Sequence, residues 1–208
     1  MSDSLESAAP AATPTPEPEA IGVSLFTVSA FLFAFQFTGI TPSTSSYGFL
    51  PAYLMIGIGM VIAGAVGMVI GSHVIGLFFS TFGPFVLSFA LLSIGLVHKW
   101  WGIDPTQTFH IIGGFMVAWS IVLTLWLLLS VVLPLFFTLL LVLLDLGLWL
   151  LVAFYYTTKT GAADGLQHTA GWAFMLAAIG GLYFVAAYWL RWAGFTKLSL
   201  GAPLVTAS

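Results

Sequence analysis

Six long apolar runs dominate this sequence, and they leave few options for its fold. Each run is about twenty residues long, which is the helix length needed to cross the hydrocarbon core of a bilayer. By residue number they cover 21–40, 50–70, 74–97, 111–132, 135–156 and 169–190. The pattern predicts an all-α integral membrane protein with six transmembrane helices. An even number of spans also predicts that both chain ends lie on one side of the membrane.

The scarcity of charge excludes a water-soluble alternative. Only 5% of the 208 residues are charged and 60% are hydrophobic, whereas a soluble domain carries about 25% charged residues. No basic patch is available for nucleic acid. Residues 1–20 are rich in Ala, Pro, Ser and Thr, which predicts a disordered N-terminal tail. We therefore divide the chain into this tail, a transmembrane transport domain over 21–198 and a C-terminal tail over 199–208.

The boundary between the fourth and fifth spans is the least marked, because the apolar run continues across it. About 45 residues are too many for one straight span, so a tight hairpin is expected at residues 130–134. The charged residues of the loops do not give an orientation. Two lysines lie opposite the termini and two basic residues lie on the terminal side: Lys99 and Lys159, against Arg191 and Lys197.

Signatures of catalysis are missing from the sequence. The serines lie in no G-x-S-x-G turn, and the histidines form no H-E-x-x-H pair. With no cysteine in the chain, disulfides, thiolate metal sites and thiol nucleophiles are excluded. We therefore expect no enzyme activity, no catalytic residues, no metal site and no cofactor.

Small residues recur along the second span at the spacing that lets membrane helices approach closely. Ala63, Gly67 and Gly71 form a small-x-x-x-small series. Two interpretations are open, packing within the subunit and a contact between subunits.

Asp145 stands near the middle of the fifth span, among leucines. A carboxylate at the bilayer centre costs about 2.5–3.5 kcal/mol on insertion scales, so we expect its side chain to face the interior of the bundle. One hypothesis is a protonatable group on a permeation path. The other is a neutral acid hydrogen-bonded to a neighbouring helix.

The third span contains features that predict a local break in its helix. Ser80 and Thr81 are followed by Gly83 and Pro84, and proline frees backbone groups that need other partners. Broken helices are tolerated in membranes where they line a cavity. Hydroxyl groups and helix N-termini suit a small anion, and aromatic neighbours can form a hydrophobic constriction.

Three stretches of the chain resemble the microbial acetate uptake transporters, also called succinate–acetate permeases. The first precedes and opens the first span and keeps a proline and a glycine of the family signature: Pro18 and Gly22, followed by Phe26. The second is the run Ser-Thr-Phe-Gly-Pro-Phe-Val-Leu-Ser-Phe over residues 80–89. The third is on the sixth span, where Ala170, Gly171 and Trp172 are followed by Ala177, Gly181 and Tyr183.

The resemblance implies a specific function and site. Members of this family move acetate and related small mono- and dicarboxylates, often with protons. They assemble as hexamers with a pore within each subunit and keep both termini in the cytoplasm, here implying the plasma membrane. Carried over by position, the central constriction consists of Phe26, Phe82 and Leu144. Gly181 corresponds to a small residue that affects selectivity. Ser80, Thr81 and Asp145 complete the expected substrate pathway.

Alternatives from other functional classes stay open at this point. The chain is also compatible with a membrane sensor or structural protein that does not transport, and with a channel for ammonium or another small solute. The inferred constriction is aromatic and aliphatic and has no ring of carboxylates. This composition argues against a cation pathway.

Overall fold

A computed structural model describes residues 18–157, 163–195 and 198–205. Within them, six helices are long and apolar enough to cross a membrane, which confirms the predicted fold class. Residues 1–17 of the predicted N-terminal tail lie outside the described residues, as do Lys159 and Lys197. The helices are α1 (Pro18–Thr38), α2 (Leu50–Val69), α3 (His73–Val97), α4 (Thr108–Leu129), α5 (Leu135–Thr157) and α6 (Ala163–Trp192).

The six helices form a ring around a central axis. Contacts between neighbours give the order α3, α2, α1, α6, α5, α4 around this ring. The ring closes where α3 meets α4, and there the two backbones approach each other much less than in any other neighbouring pair. Aromatic side chains fill this wider gap, as in the contact of Phe85 with Trp119 at 5.3 Å between ring centroids. The α3–α4 seam is therefore held by long side chains rather than by close backbones.

Glycines bring the other helices together, most closely in the α2–α3 hairpin. A Cβ atom on Gly64 would lie 2.5 Å from the backbone nitrogen of Ser80, and one on Gly76 would lie 2.9 Å from the carbonyl oxygen of Gly64. Backbones this close need small residues, as in other membrane helix pairs. The intramolecular interpretation of the small-residue series is thus confirmed for Gly67, whose Cβ would lie 3.2 Å from the Cα of Gly76. Gly71 does not belong to the series, because it follows α2 with a φ of 93°.

Chain direction assigns the loops to two sides of the ring. The terminal side holds the start of α1, the α2–α3 turn, the α4–α5 turn and the end of α6. On this side, Ser72 of the α2–α3 turn donates a hydrogen bond to Glu19 of α1. The predicted hairpin at 130–134 is confirmed, with a 3₁₀ turn over Ser130–Val132 and an extended Leu133 before Pro134. The opposite side holds the other three loops, and we call it the vestibule side.

Residues 198–205 return to the α4–α5 turn and pair with it. The amide of Leu135 donates to the carbonyl of Ala202 at 3.3 Å, and that of Phe136 donates to Leu200 at 3.1 Å. The first amides of a helix have no acceptor within the helix itself. This segment therefore supplies the acceptors that α5 lacks at its N-terminal end.

Two features differ from the sequence-based predictions. The helix α6 begins at Ala163, six residues before the expected start at 169, because a helix can extend into water with polar residues that carry no hydropathy signal. The predicted break in α3 is wrong, since the helix is continuous from His73 to Val97 through Pro84. The proline leaves the carbonyl of Ser80 without its usual helical donor, and membrane helices tolerate such a loss. One turn later, the Ser88 hydroxyl donates to the Pro84 carbonyl at 2.6 Å.

Candidate functional site

A small enclosed void lies at the centre of the helix ring. Its volume is about 10 Å³, on the order of the space that a single water molecule needs. Five helices contribute to its wall, which consists of Phe26, Ser29, Ala30, Phe33, Phe82, Phe85, Leu123, Leu144, Leu148 and Phe174. The path along the ring axis is thus closed at this level by apolar side chains.

The three residues expected at the constriction all contribute to this wall. The rings of Phe26 and Phe82 meet edge to face, with centroids 5.2 Å apart and an angle of 63° between their planes. Leu144 of α5 lies on the same void and is 3% exposed. Side chains from α1, α3 and α5 therefore converge at one level of the ring.

Aromatic contacts that begin at the wall of the void continue along the axis on both of its sides. On the vestibule side, Phe33 lies 5.7 Å from Phe85 in a stacked arrangement, 5.0 Å from Phe89 and 5.7 Å from Phe174. On the terminal side, the ring of Phe78 contacts Phe26, Phe82, Trp126 and Phe137, with centroid distances between 5.2 and 5.7 Å. The axis is filled by successive layers of aromatic side chains.

A larger cavity opens on the vestibule side, and we call it the vestibule. It has a volume of about 400 Å³. Apolar side chains such as Phe37 and Phe89 form part of its wall. Within the described part of the chain, the polar residues of the wall are all uncharged: Gln36, Ser46, Tyr47, Ser93, Thr108, Tyr155 and Gln167. The hydroxyl of the fully buried Tyr53 donates to Oε1 of Gln36 at 3.3 Å. The vestibule can therefore hydrogen-bond a small polar solute before the solute reaches the aromatic layers.

The other residues of the expected pathway lie around the void rather than on it. Thr81 lines a second small void at the α3–α4 seam, and its hydroxyl donates to the carbonyl of Leu77 at 2.9 Å. Ser80 faces α2, where a Cβ on Gly64 would meet its backbone. Gly181 lies at the α1–α6 contact, where a Cβ would collide with the side chain of Thr27.

Asp145 also lies off the axis, which differs from the expectation that it faces the interior of the bundle. Successive residues of a helix point about 100° apart, so with Leu144 on the void the Asp145 side chain turns towards α4. There Oδ1 of Asp145 accepts a hydrogen bond from the Thr124 hydroxyl at 2.9 Å. Nε1 of Trp149 donates to the same hydroxyl oxygen at 3.1 Å. The geometry is that of an acid bonded to a neighbouring helix.

Sequence reasoning missed several residues of the wall, although a signal for them exists. Aromatic residues recur on α3 at positions 78, 82, 85 and 89 and on α1 at positions 26, 33 and 37. This is the spacing of one helical face. Two such stripes on different helices indicate a shared aromatic axis, and they include Phe33 and Phe85.

Comparison with known proteins identifies the family. The GPR1/FUN34/yaaH family profile matches residues 4–197. The chain belongs to the GPR1/FUN34/yaaH family. This assignment confirms the resemblance found in the three sequence stretches. No curated relative matches the chain.

Among solved structures, this member of the GPR1/FUN34/yaaH family has a fold similar to that of the bacterial acetate channel SatP. The two share 17% sequence identity with a TM-score of 0.76, over 90% of this chain and 99% of that chain. The six-helix ring is therefore a fold that this acetate channel also adopts, despite the low identity.

Proposed function

We propose that this protein moves acetate and related small carboxylates across the plasma membrane, along the axis of its helix ring. The observation that carries the proposal is the convergence of Phe26, Phe82 and Leu144 on one void. The void is connected to the vestibule wall through the contact of Phe33 with Phe89, whose ring centroids are 5.0 Å apart. A polar vestibule that leads to a narrow apolar constriction is the arrangement expected of a selective pathway for a small solute. The fold of the bacterial acetate channel SatP supports acetate as the substrate.

Uptake of labelled acetate into liposomes that contain the purified protein tests the proposal. A Leu144→Trp variant should fill the void and reduce protein-dependent uptake to the level of protein-free liposomes. Leu146→Trp is the matched control, because Leu146 lies on the outer face of the same helix and is 49% exposed. Folded wild-type protein with no uptake above background would favour a sensor or a structural component instead.

The proposal extends to assembly and orientation. We propose a homohexamer with one passage in each subunit and both termini in the cytoplasm, as the family resemblance implies. Native mass spectrometry in detergent tests the oligomeric state. Because the sequence has no cysteine, single cysteines placed at Gly48 and Gly194 report the side of each loop through their reaction with an impermeant maleimide. Labelling of Gly194→Cys in intact cells would contradict the proposed orientation.

A further inference from the structure

The described wall of the central void contains no positively charged side chain and no free hydrogen-bond donor. Nine of its ten residues have side chains made only of carbon and hydrogen. The exception is Ser29, and its hydroxyl already donates to the carbonyl of Phe26 at 2.7 Å. Moving an ionised carboxylate from water into such surroundings is far more costly than moving a neutral group.

The backbone around the void does not compensate. The helix α3 is continuous past Phe82 and Phe85, and α1 is continuous past Phe26 and Phe33. Amides inside an unbroken helix donate to its own carbonyls, and the partial positive charge of a helix lies at its N-terminus. At the level of the void, neither a helix N-terminus nor a half-helix faces the axis among the described residues.

The vestibule has the hydrogen-bonding character of a site for a neutral acid. Among the residues that the structure describes, those that line it include none of Lys, Arg, His, Asp or Glu. Its two glutamines, Gln36 and Gln167, carry amide groups that both donate and accept hydrogen bonds. An undissociated carboxyl group likewise has one donor and one acceptor, whereas a carboxylate only accepts.

None of the described side chains that line the void can carry a proton for the substrate. The helices α1, α3, α4, α5 and α6 contribute no titratable group to its wall. Asp145 is adjacent in sequence to Leu144 of the wall, but its carboxyl group faces Thr124 and Trp149 rather than the void. The nearest titratable groups on the vestibule side are the phenols of Tyr53, Tyr47 and Tyr155.

From these observations we infer that the species crossing the aromatic layers is the undissociated acid, so that the proton travels on the substrate and not on the protein. The inference rests on the proposed transport function and specifies its substrate further. Uptake then carries no net charge, and its rate follows the concentration of the protonated acid.

Initial uptake of labelled acetate into liposomes with the full chain tests this inference. Total acetate is kept constant while the pH is varied, and a potassium gradient with valinomycin sets the membrane potential. Protein-free and Leu144→Trp liposomes give the flux through lipid, which is subtracted. The protein-dependent rate should fall about tenfold for each pH unit above the range where a carboxyl group ionises. It should not change when a potential of about 100 mV is imposed.

Two further measurements distinguish a proton carried by the substrate from a proton carried by the protein. Fluoroacetate has nearly the size of acetate but is a stronger acid, so at equal total concentration it should be slower by the ratio of the protonated fractions. Asp145→Asn should keep the tenfold slope with pH. A flat slope in folded Asp145→Asn would place the proton on the protein and overturn the inference.

The remaining outcomes are also distinct. A rate that is constant with pH and several-fold lower at an inside-negative potential would identify the carboxylate anion as the transported species. This result overturns the inference but leaves the proposed transport function standing. The absence of protein-dependent uptake at every pH would overturn the transport function and the inference together.

Discussion

Gly57 of α2 and Gly83 of α3 face each other so closely that neither has room for a side chain. A Cβ on Gly57 would lie 2.8 Å from the carbonyl oxygen of Gly83, and a Cβ on Gly83 would lie 2.7 Å from the carbonyl oxygen of Gly57. Real Cβ atoms do not approach backbone atoms at such distances. The contact therefore fixes the spacing of the two helices near the level of Phe82.

Gly57→Ala should destabilise the protein, because the added methyl group forces two backbones apart. Overpacking of this kind costs typically about 1–3 kcal/mol. The measurement is thermal unfolding in detergent, followed by the intrinsic tryptophan fluorescence. Gly114→Ala is the control, since a Cβ on Gly114 of α4 meets no atom within 4 Å. Equal melting temperatures for the two variants would contradict the described packing.

Phe82→Ala should widen the constriction and raise uptake of larger acids relative to acetate. The substitution removes the ring that contacts Phe26 and opens the void towards Phe78. A buried Phe→Ala change costs about 3–5 kcal/mol of stability, so folding is checked by size-exclusion chromatography and Phe82→Leu serves as a milder variant. The readout is the ratio of succinate to acetate uptake. Leu91→Ala on the exposed face of α3 is the control, and an unchanged ratio in both Phe82 variants would remove Phe82 from the pathway.

Thr124→Val should weaken the α4–α5 contact. It removes the hydroxyl that donates to Asp145 and accepts from Trp149. Hydrogen bonds between membrane helices contribute about 0.6 kcal/mol on average and up to about 1.7 kcal/mol. Combining Thr124→Val with Asp145→Asn and with Trp149→Phe in double-mutant cycles measures the coupling by unfolding in mixed detergent. Additive effects in both cycles would show that the three side chains do not act together.

Tyr183→Phe should loosen the segment 198–205. The Tyr183 hydroxyl donates to the carbonyl of Ser199 at 2.7 Å, and the same segment accepts from the amides of Leu135 and Phe136. We expect faster hydrogen exchange at these two amides, read by mass spectrometry of peptides from the start of α5. Tyr156→Phe is the control, because Tyr156 is 52% exposed at the other end of that helix. Unchanged exchange in Tyr183→Phe would mean that the hydroxyl contributes little to holding the segment.

Hydropathy and length alone predict the helices, since a bilayer imposes both. The hairpin before Pro134 also follows from length, because α4 and α5 cannot form one span. The helices and the hairpin thus depend on properties that each segment has by itself. The expectation that Phe26, Phe82 and Leu144 form a constriction comes instead from the family resemblance, and the structure brings all three to one void.

Properties that depend on the rotation of one helix against another could not be predicted. Asp145 and Leu144 are adjacent in sequence, and the packing of α5 against α4 and α6 decides which of them faces the axis. The continuity of α3 through Pro84 likewise depends on its neighbours, because Gly57 of α2 packs against Gly83 before the proline and against Leu87 after it. The docking of residues 198–205 has no hydropathy signal, since it is made mostly by backbone groups.

The wide spacing of α3 and α4 determines where the wall of this helix ring can change its conformation. Glycines bring backbone against backbone in the α2–α3 and α1–α6 pairs, and in the α5–α6 pair they pack against side chains of the neighbouring helix. Separating any of these pairs would break close contacts. Across the α3–α4 seam, a change of rotamer in rings such as Phe85 and Trp119 creates space without moving a backbone contact. We therefore expect a passing solute to displace side chains along one line of the wall, while the remaining helix pairs behave as a rigid shell.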